Sequence, residues 1–281
     1  MEVRTRDGHR LTATLHRTSD RNARDCTVIL NSAMGVERRF YDPFAAYLAE
    51  RGFEALTYDY RGIGGSSREL LRDPEVRMAD WGTRDFASMI DFARQQLRTS
   101  NVAVVGHSAG GQIIGLADNN AHINAVLLVA AGSGYWKLWS GFARARMALY
   151  MYVLLPALVD LLGYVPRAVL GTDIPGAVVS EWTRWCRTED YLLGGEGDAH
   201  RPGFQRVRAP LLALSFSDDF YAPPAAVDWL ADQYSAANVT RRHIVPRDIG
   251  ARRVDHFAFF RPDAKETLWH YAATWLAAQI P

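Results

Sequence analysis

A serine bracketed by glycines directly after an apolar run constrains this chain more than any other feature. Asn101–Val105 reads as a buried strand, and Gly106-His107-Ser108-Ala109-Gly110 follows it at once, ahead of a helical pattern over Gln112–Ala117. A serine presented on a sharp strand-to-helix turn needs neighbours without bulk, which accounts for glycine two residues to either side. The turn lifts the hydroxyl above a sheet, and the following helix aims its N-terminal N–H groups at the same point, favouring negative charge there. Ser108 is therefore the candidate nucleophile. The pentapeptide alone could also be a structural glycine turn with an incidental serine; its context makes the difference. His107 adjoins the serine at a turn where neighbours point apart, so it is assigned to packing or hydrogen bonding.

The rest of the chain alternates strand-like and helix-like segments, the pattern of an α/β fold with a mostly parallel twisted sheet and helices on both faces. Residues 1–7 and 9–16 read as strands joined at Asp7-Gly8, a hairpin turn pair. Cys26–Asn31, Phe53–Tyr58, Ile123–Ala130, Pro210–Phe216 and Val239–Val245 read as further strands. Phe40–Arg51, residues 80–98, Pro224–Gln233 and Ala264–Ala278 read as helices, and Arg61–Ser67 as a loop. From Gly132 to Arg201 the rhythm breaks into Trp-, Tyr- and Leu-rich helical sequence without a clear strand, too long for a structureless loop. The expected organisation is a core domain of residues 1–131 and 202–281 with a helical cap, 132–201.

Composition removes several function classes. A net charge of +1 gives no broad basic surface for nucleic acid; the pairs Arg241-Arg242 and Arg252-Arg253 read as solvated surface. Two distant cysteines, Cys26 and Cys186, make neither a disulfide framework nor a CxxC motif. No His/Cys/Glu cluster has metal-ligand spacing. Gly62-Ile-Gly64-Gly65 lacks the lysine of a phosphate loop and the full dinucleotide pattern, so no cofactor is expected. The N-terminal residues hold no apolar stretch of signal-peptide length. Met147–Val159, interrupted by Pro156 and followed by Asp160, falls short of a membrane span. Cytoplasm is the expected compartment.

Five segments together resemble the α/β-hydrolase superfamily, and within it the capped, esterase-like bacterial serine hydrolases: ILNSAMG (29–35), YDYRGIGGS (58–66), GHSAG (106–110), SDDFYAP (217–223) and DHFAFFR (255–261). The resemblance spans nearly the whole chain, and its cap part is the looser one. It implies the chain order Ser…Asp…His. Of eight histidines, only His256 falls in the loop between the last strand and the last helix, at the sheet edge where open α/β folds bind ligands. It is the candidate base that an unactivated serine needs. Asp218 and Asp219 both follow strand 210–216. In related hydrolases the acid often precedes a Val/Ala-Pro pair by two intervening residues, which favours Asp219 through Ala222-Pro223. Related enzymes usually carry His-Gly-x-x-Gly after the third strand, where this chain has Asn31-Ser32-Ala33-Met34-Gly35. By that register the oxyanion donors are the amides of Ala109 and Ala33, with Met34 next in line. The departure puts a Cβ at Ser32 where glycine is usual.

These readings predict hydrolysis of a carboxylic ester, lactone or thioester of a bulky apolar small molecule through an acyl-enzyme on Ser108. Trp136, Trp139 and Tyr150 are the candidate substrate contacts in the cap, set against a plain core role for the aromatics. Arg144 and Arg146 could meet a carboxylate, with solvated surface the plainer reading. The run Met147–Val159 could bury itself against a second subunit as a homodimer. An acyltransferase or cyclase would use the same three residues, and a retired, ligand-binding member of the fold is the reading from a different class.

Overall fold

The computed structural model describes residues 1–19, 23–66 and 68–280, so Ser67 of the expected loop lies outside the described residues. Ten strands run in chain order: β1 (Glu2–Arg4), β2 (Arg10–His16), β3 (Cys26–Asn31), β4 (Glu54–Tyr58), β5 (Asn101–His107), β6 (Ile123–Val129), β7 (Tyr164–Val165), β8 (Ile174–Pro175), β9 (Leu211–Phe216) and β10 (Val239–Ile244). Eight of them form one sheet in the order β1-β2-β4-β3-β5-β6-β9-β10. The β1/β2 and β2/β4 pairs are antiparallel, and every other pair in this sheet is parallel. Helices flank it, which is why β3 and β9 are buried at every residue and read as unbroken apolar runs. At the far edge β10 is mostly exposed and carries Arg241 and Arg242. Charge on an edge strand discourages pairing with another chain, and Arg241 is held to Asp228 at 3.3 Å and to Asp232.

Three expectations need correction. The helix after Ser108 is a single α turn, Ala109–Gln112, followed by a 3-10 turn over Ile114–Leu116. Gly110, Gly111 and Gly115 lend it little helical propensity, and the chain presses in close, since a Cβ on Gly115 would lie 2.3 Å from the Phe204 ring. Residues 132–201 are not purely helical: β7 and β8 pair antiparallel as a two-stranded ribbon. Two-residue strands are too short to show alternation in sequence.

The third correction concerns Met147–Val159. It lies inside one continuous helix, Gly141–Leu162, of 22 residues, long and apolar enough by length and composition to cross a membrane. Pro156 does not break it, because Tyr150–Leu154 is wound as a π-helix and the proline falls in the first turn of the α-helix Leu155–Leu162. There its missing N–H leaves less of the ladder unsatisfied. Met147, Met151 and Leu155 are buried on one side of this helix, while Phe142, Leu149, Val153 and Leu161 are exposed on the other.

Candidate active site

The turn that presents Ser108 is strained. Ser108 has φ +51° and ψ −118°, a left-handed conformation in a residue that is not glycine. Such strain persists only where the surroundings over-determine it, and here they do. A Cβ on Gly106 would meet the Gly111 Cα at 2.5 Å, and one on Gly110 would meet the Asn31 carbonyl oxygen at 2.2 Å. Both glycines of the pentapeptide are thus required by close approach of backbone. The Ser108 amide donates to the Val129 carbonyl at 3.1 Å, tying the turn to β6.

Asp219 Oδ2 lies 2.7 Å from His256 Nδ1. The carboxylate is fully buried and the ring nearly so. Its other oxygen accepts the amides of Tyr221 (2.7 Å) and Ala222 (3.1 Å), so the carboxylate is fixed by its own loop. Asp218 turns elsewhere and accepts the Val254 amide at 3.0 Å. Asp255 accepts the Phe257 amide and faces Arg253 and Arg261. Ser108 and His256 line one cavity of about 480 Å³. No hydrogen bond joins the Ser108 hydroxyl to the imidazole among the described residues; such contacts are often long before substrate binds and tighten in the reacting complex.

His107 is buried beside this pair and spans two elements. Its Nδ1 lies 2.8 Å from the Tyr41 hydroxyl, and its Nε2 lies 2.9 Å from the His256 carbonyl oxygen. The carbonyl can only accept, which places the proton on Nε2 and makes Nδ1 the acceptor for the tyrosine. Burial, then the neighbouring His256, hold the His107 pKa well below the ordinary histidine value, so the ring is neutral.

Tyr41 also accepts the Ala33 amide at 2.8 Å. That N–H, expected as an oxyanion donor, is therefore already engaged. Met34 lines the cavity and Ala109 directly follows Ser108, and the amides of both have no acceptor among the described residues. Asn31 is structural: its amide donates to the Gly110 carbonyl at 3.2 Å and its carbonyl accepts the Tyr58 hydroxyl at 2.8 Å. The Ser32 hydroxyl is buried and has no hydrogen-bond partner among the described residues. The 58–66 motif supports this loop from behind. Tyr60 donates to the Ser32 carbonyl, Asp59 accepts the Arg38 and Gly65 amides, and Arg61 is buried between Asp85 and Asp7.

Trp139 and Tyr150 line the cavity, but Trp136 does not; it packs edge-on against Tyr152 outside it. Trp139 also donates its indole N–H to the Phe220 carbonyl at 2.7 Å. Sequence reasoning missed Met147, Met151, Leu155 and Phe220 as wall residues, together with Gln112. The helical spacing of Met147, Met151 and Leu155 was the available signal.

Residues 22–171 match the family model described as serine aminopeptidase, S33. RutD of Variovorax paradoxus (strain S110), a protein named as a carbamate hydrolase, is 30% identical over 197 residues, covering 68% of this chain and 66% of that protein. The chain thus spans about two thirds of that relative's length. Among solved structures, Est1E of Butyrivibrio proteoclasticus, with ferulic acid bound, superposes with a TM-score of 0.66 at 16% identity over 99% of this chain and 98% of its own. An esterase of Exiguobacterium antarcticum gives a TM-score of 0.62 at 16% identity over 99% of each chain. At such identity these two likenesses speak to the fold.

Proposed function

Since the chain belongs to the serine aminopeptidase S33 family of α/β hydrolases, we propose that it cleaves carboxylic esters of bulky apolar small molecules through an acyl-enzyme on Ser108. It is a serine hydrolase; the bond, the residues and the steps are our reading. His256 takes the Ser108 proton as the hydroxyl attacks the ester carbonyl. Asp219 holds the imidazole with its proton on Nδ1 and stabilises the imidazolium that forms. The amides of Met34 and Ala109 receive the negative oxygen of the tetrahedral intermediate. The imidazolium then protonates the departing alcohol. Water deprotonated by His256 attacks the acyl-enzyme, releasing the acid and free Ser108. Lactones and thioesters present the same electrophilic carbon and fall within the reading. Residues 132–201 act as a cap over the core of residues 1–131 and 202–281, and the cytoplasm is the compartment we assign.

The observation that carries this reading is the 2.7 Å contact of Asp219 with His256, whose imidazole lines the same cavity as Ser108 on its strained turn. Labelling with a fluorophosphonate probe and mapping the modified peptide tests it; the adduct is expected on Ser108. Ser108→Ala should lower p-nitrophenyl ester turnover by at least about a thousandfold, as loss of such a nucleophile does. Asp219→Asn should cost far more than Asp218→Asn. A Ser108→Ala variant that keeps more than about a thousandth of the wild-type rate would sink covalent catalysis, and a reversed aspartate ranking would reassign the acid.

A further inference from the structure

The catalytic cavity is walled mainly by apolar and aromatic side chains, and Arg146 is the one permanently charged residue on its described lining. Arg146 belongs to helix Gly141–Leu162, is exposed, and lines the cavity, which places it at the rim. Its guanidinium carbon lies 3.4 Å from the centroid of the Phe220 ring. Phe220 directly follows Asp219, and its carbonyl is pinned by the Trp139 indole at 2.7 Å. A guanidinium stacked on a ring face keeps its N–H donors radiating in its own plane, free for an acceptor. The contrast with Arg144, two residues earlier, is direct. Arg144 gives its donors to the Trp139 and Lys137 carbonyls at 2.7 and 3.1 Å. Among the described residues Arg146 has no carboxylate partner and no hydrogen-bond acceptor, and no acidic side chain lines the cavity.

A fixed, unpaired, oriented cation beside an apolar cavity selects an anion at the end of an apolar body. Resting on the ester-hydrolase reading above, we propose that Arg146 is a specificity-determining residue that binds a carboxylate on the substrate, remote from the ester carbonyl. The preferred substrates are then monoesters of long dicarboxylic acids, or esters of ω-hydroxy acids, in place of their uncharged counterparts. The carboxylate receives a forked pair of hydrogen bonds from the guanidinium, while the aliphatic chain lies against Met147, Met151 and Leu155.

The test compares kcat/KM across two series. The first is mono-p-nitrophenyl esters of the dicarboxylic acids from adipate to sebacate, against p-nitrophenyl esters of fatty acids of matching length. The second is acetate esters of ω-hydroxy acids against acetates of simple alcohols. At the chain length that fits, the wild-type protein should prefer the anionic ester in one series, and 0.5 M NaCl should weaken that preference because it is electrostatic. Arg146→Met, which keeps an apolar stem on Phe220 but no charge, should lower the anionic-to-neutral ratio about tenfold to hundredfold, the size of a charge-assisted contact at a solvent-exposed rim. Arg146→Glu should lower it further, and Arg146→Lys should restore part of it.

An anionic-to-neutral ratio that is the same in wild type and in Arg146→Met, in both series, would show that Arg146 only packs on Phe220 in solvent, and would overturn the proposal. Failure of the underlying reading looks different. In that case neither series turns over in the wild-type protein and the fluorophosphonate leaves Ser108 unmodified.

Discussion

The imidazole of His107 is neutral because of where it sits, and its neutrality ties two parts of the site together. One ring nitrogen serves Tyr41, which in turn holds the Ala33 amide, and the other serves the backbone of His256. The chain of contacts therefore runs from the loop after β3 to the loop that carries the candidate base. A proton added to Nδ1 would remove the acceptor that Tyr41 uses. The folded state holds the His107 pKa below 6.5, so below that pH the unfolded chain binds the extra proton and acid favours unfolding. This histidine's contribution is fully present above pH 6.5 and is lost as the pH falls from there. His107→Gln should make unfolding stability, measured by urea titration between pH 6.5 and 5, shallower in pH by up to about 1.4 kcal/mol per pH unit. Identical slopes in the two proteins would mean that the ring protonates freely in the fold. Of this constellation the sequence exposed only part. Asp219 and His256 were legible as candidates because each lies in a loop after a strand of the main sheet, at its carboxyl edge, with the resemblance supplying the register of the aspartate. The engagement of Ala33 was not, because it depends on Tyr41 turning back through the tertiary fold. The carboxylate contact proposed for Arg146 stood open in the sequence, shared with Arg144 and set against solvated surface, because stacking and missing partners leave no mark there that would separate the two arginines.

At the scale of elements, legibility followed burial. Strands covered on both sides must be apolar throughout, and the bounds of Cys26–Asn31 and Pro224–Gln233 are those read from residue pattern and the N1 proline. The π-wound segments Trp81–Phe86, Tyr150–Leu154 and Lys265–Trp269 left no comparable signal. A shift to i→i+5 hydrogen bonding is set by what the helix packs against, not by a residue type. The turn after β5 lies between these extremes. Its glycines were legible as a need for space, while the atoms that demand the space belong to Asn31 and Gly111. Gly110→Ala drives a Cβ to 2.2 Å from the Asn31 oxygen, and neither backbone can yield without moving β3 or the turn. Overpacking of this kind costs about 1–3 kcal/mol. Urea unfolding of Gly110→Ala should show a loss of that size, together with impaired ester turnover as Ser108 shifts. A variant as stable and as active as the parent would mean the turn has slack that the close approach denies.

The whole molecule poses the question of how separately residues 132–201 behave. They supply much of the cavity wall, as a hinged lid would. Yet their buried side chains, among them Val165, Ile174, Val178 and Val179, belong to the same apolar cluster as β3, β5, β6 and β9. A segment whose buried surface is continuous with the core cannot leave without exposing both sides of the contact. Burial of that extent argues for one cooperative body rather than a core and a loose cover, even though chains of this length often unfold through intermediates. The tryptophans make the question measurable. Trp136, Trp139, Trp182 and Trp185 report on residues 132–201, and Trp81, Trp229, Trp269 and Trp275 on the rest. Single-tryptophan variants, the other positions changed to Phe, should lose their native fluorescence at one urea concentration, coincident with the loss of far-UV circular dichroism. An earlier transition confined to the reporters within 132–201 would show that this segment opens by itself. Access to Ser108 would then be gated by its opening, and fluorophosphonate labelling would speed up at urea concentrations below the main transition.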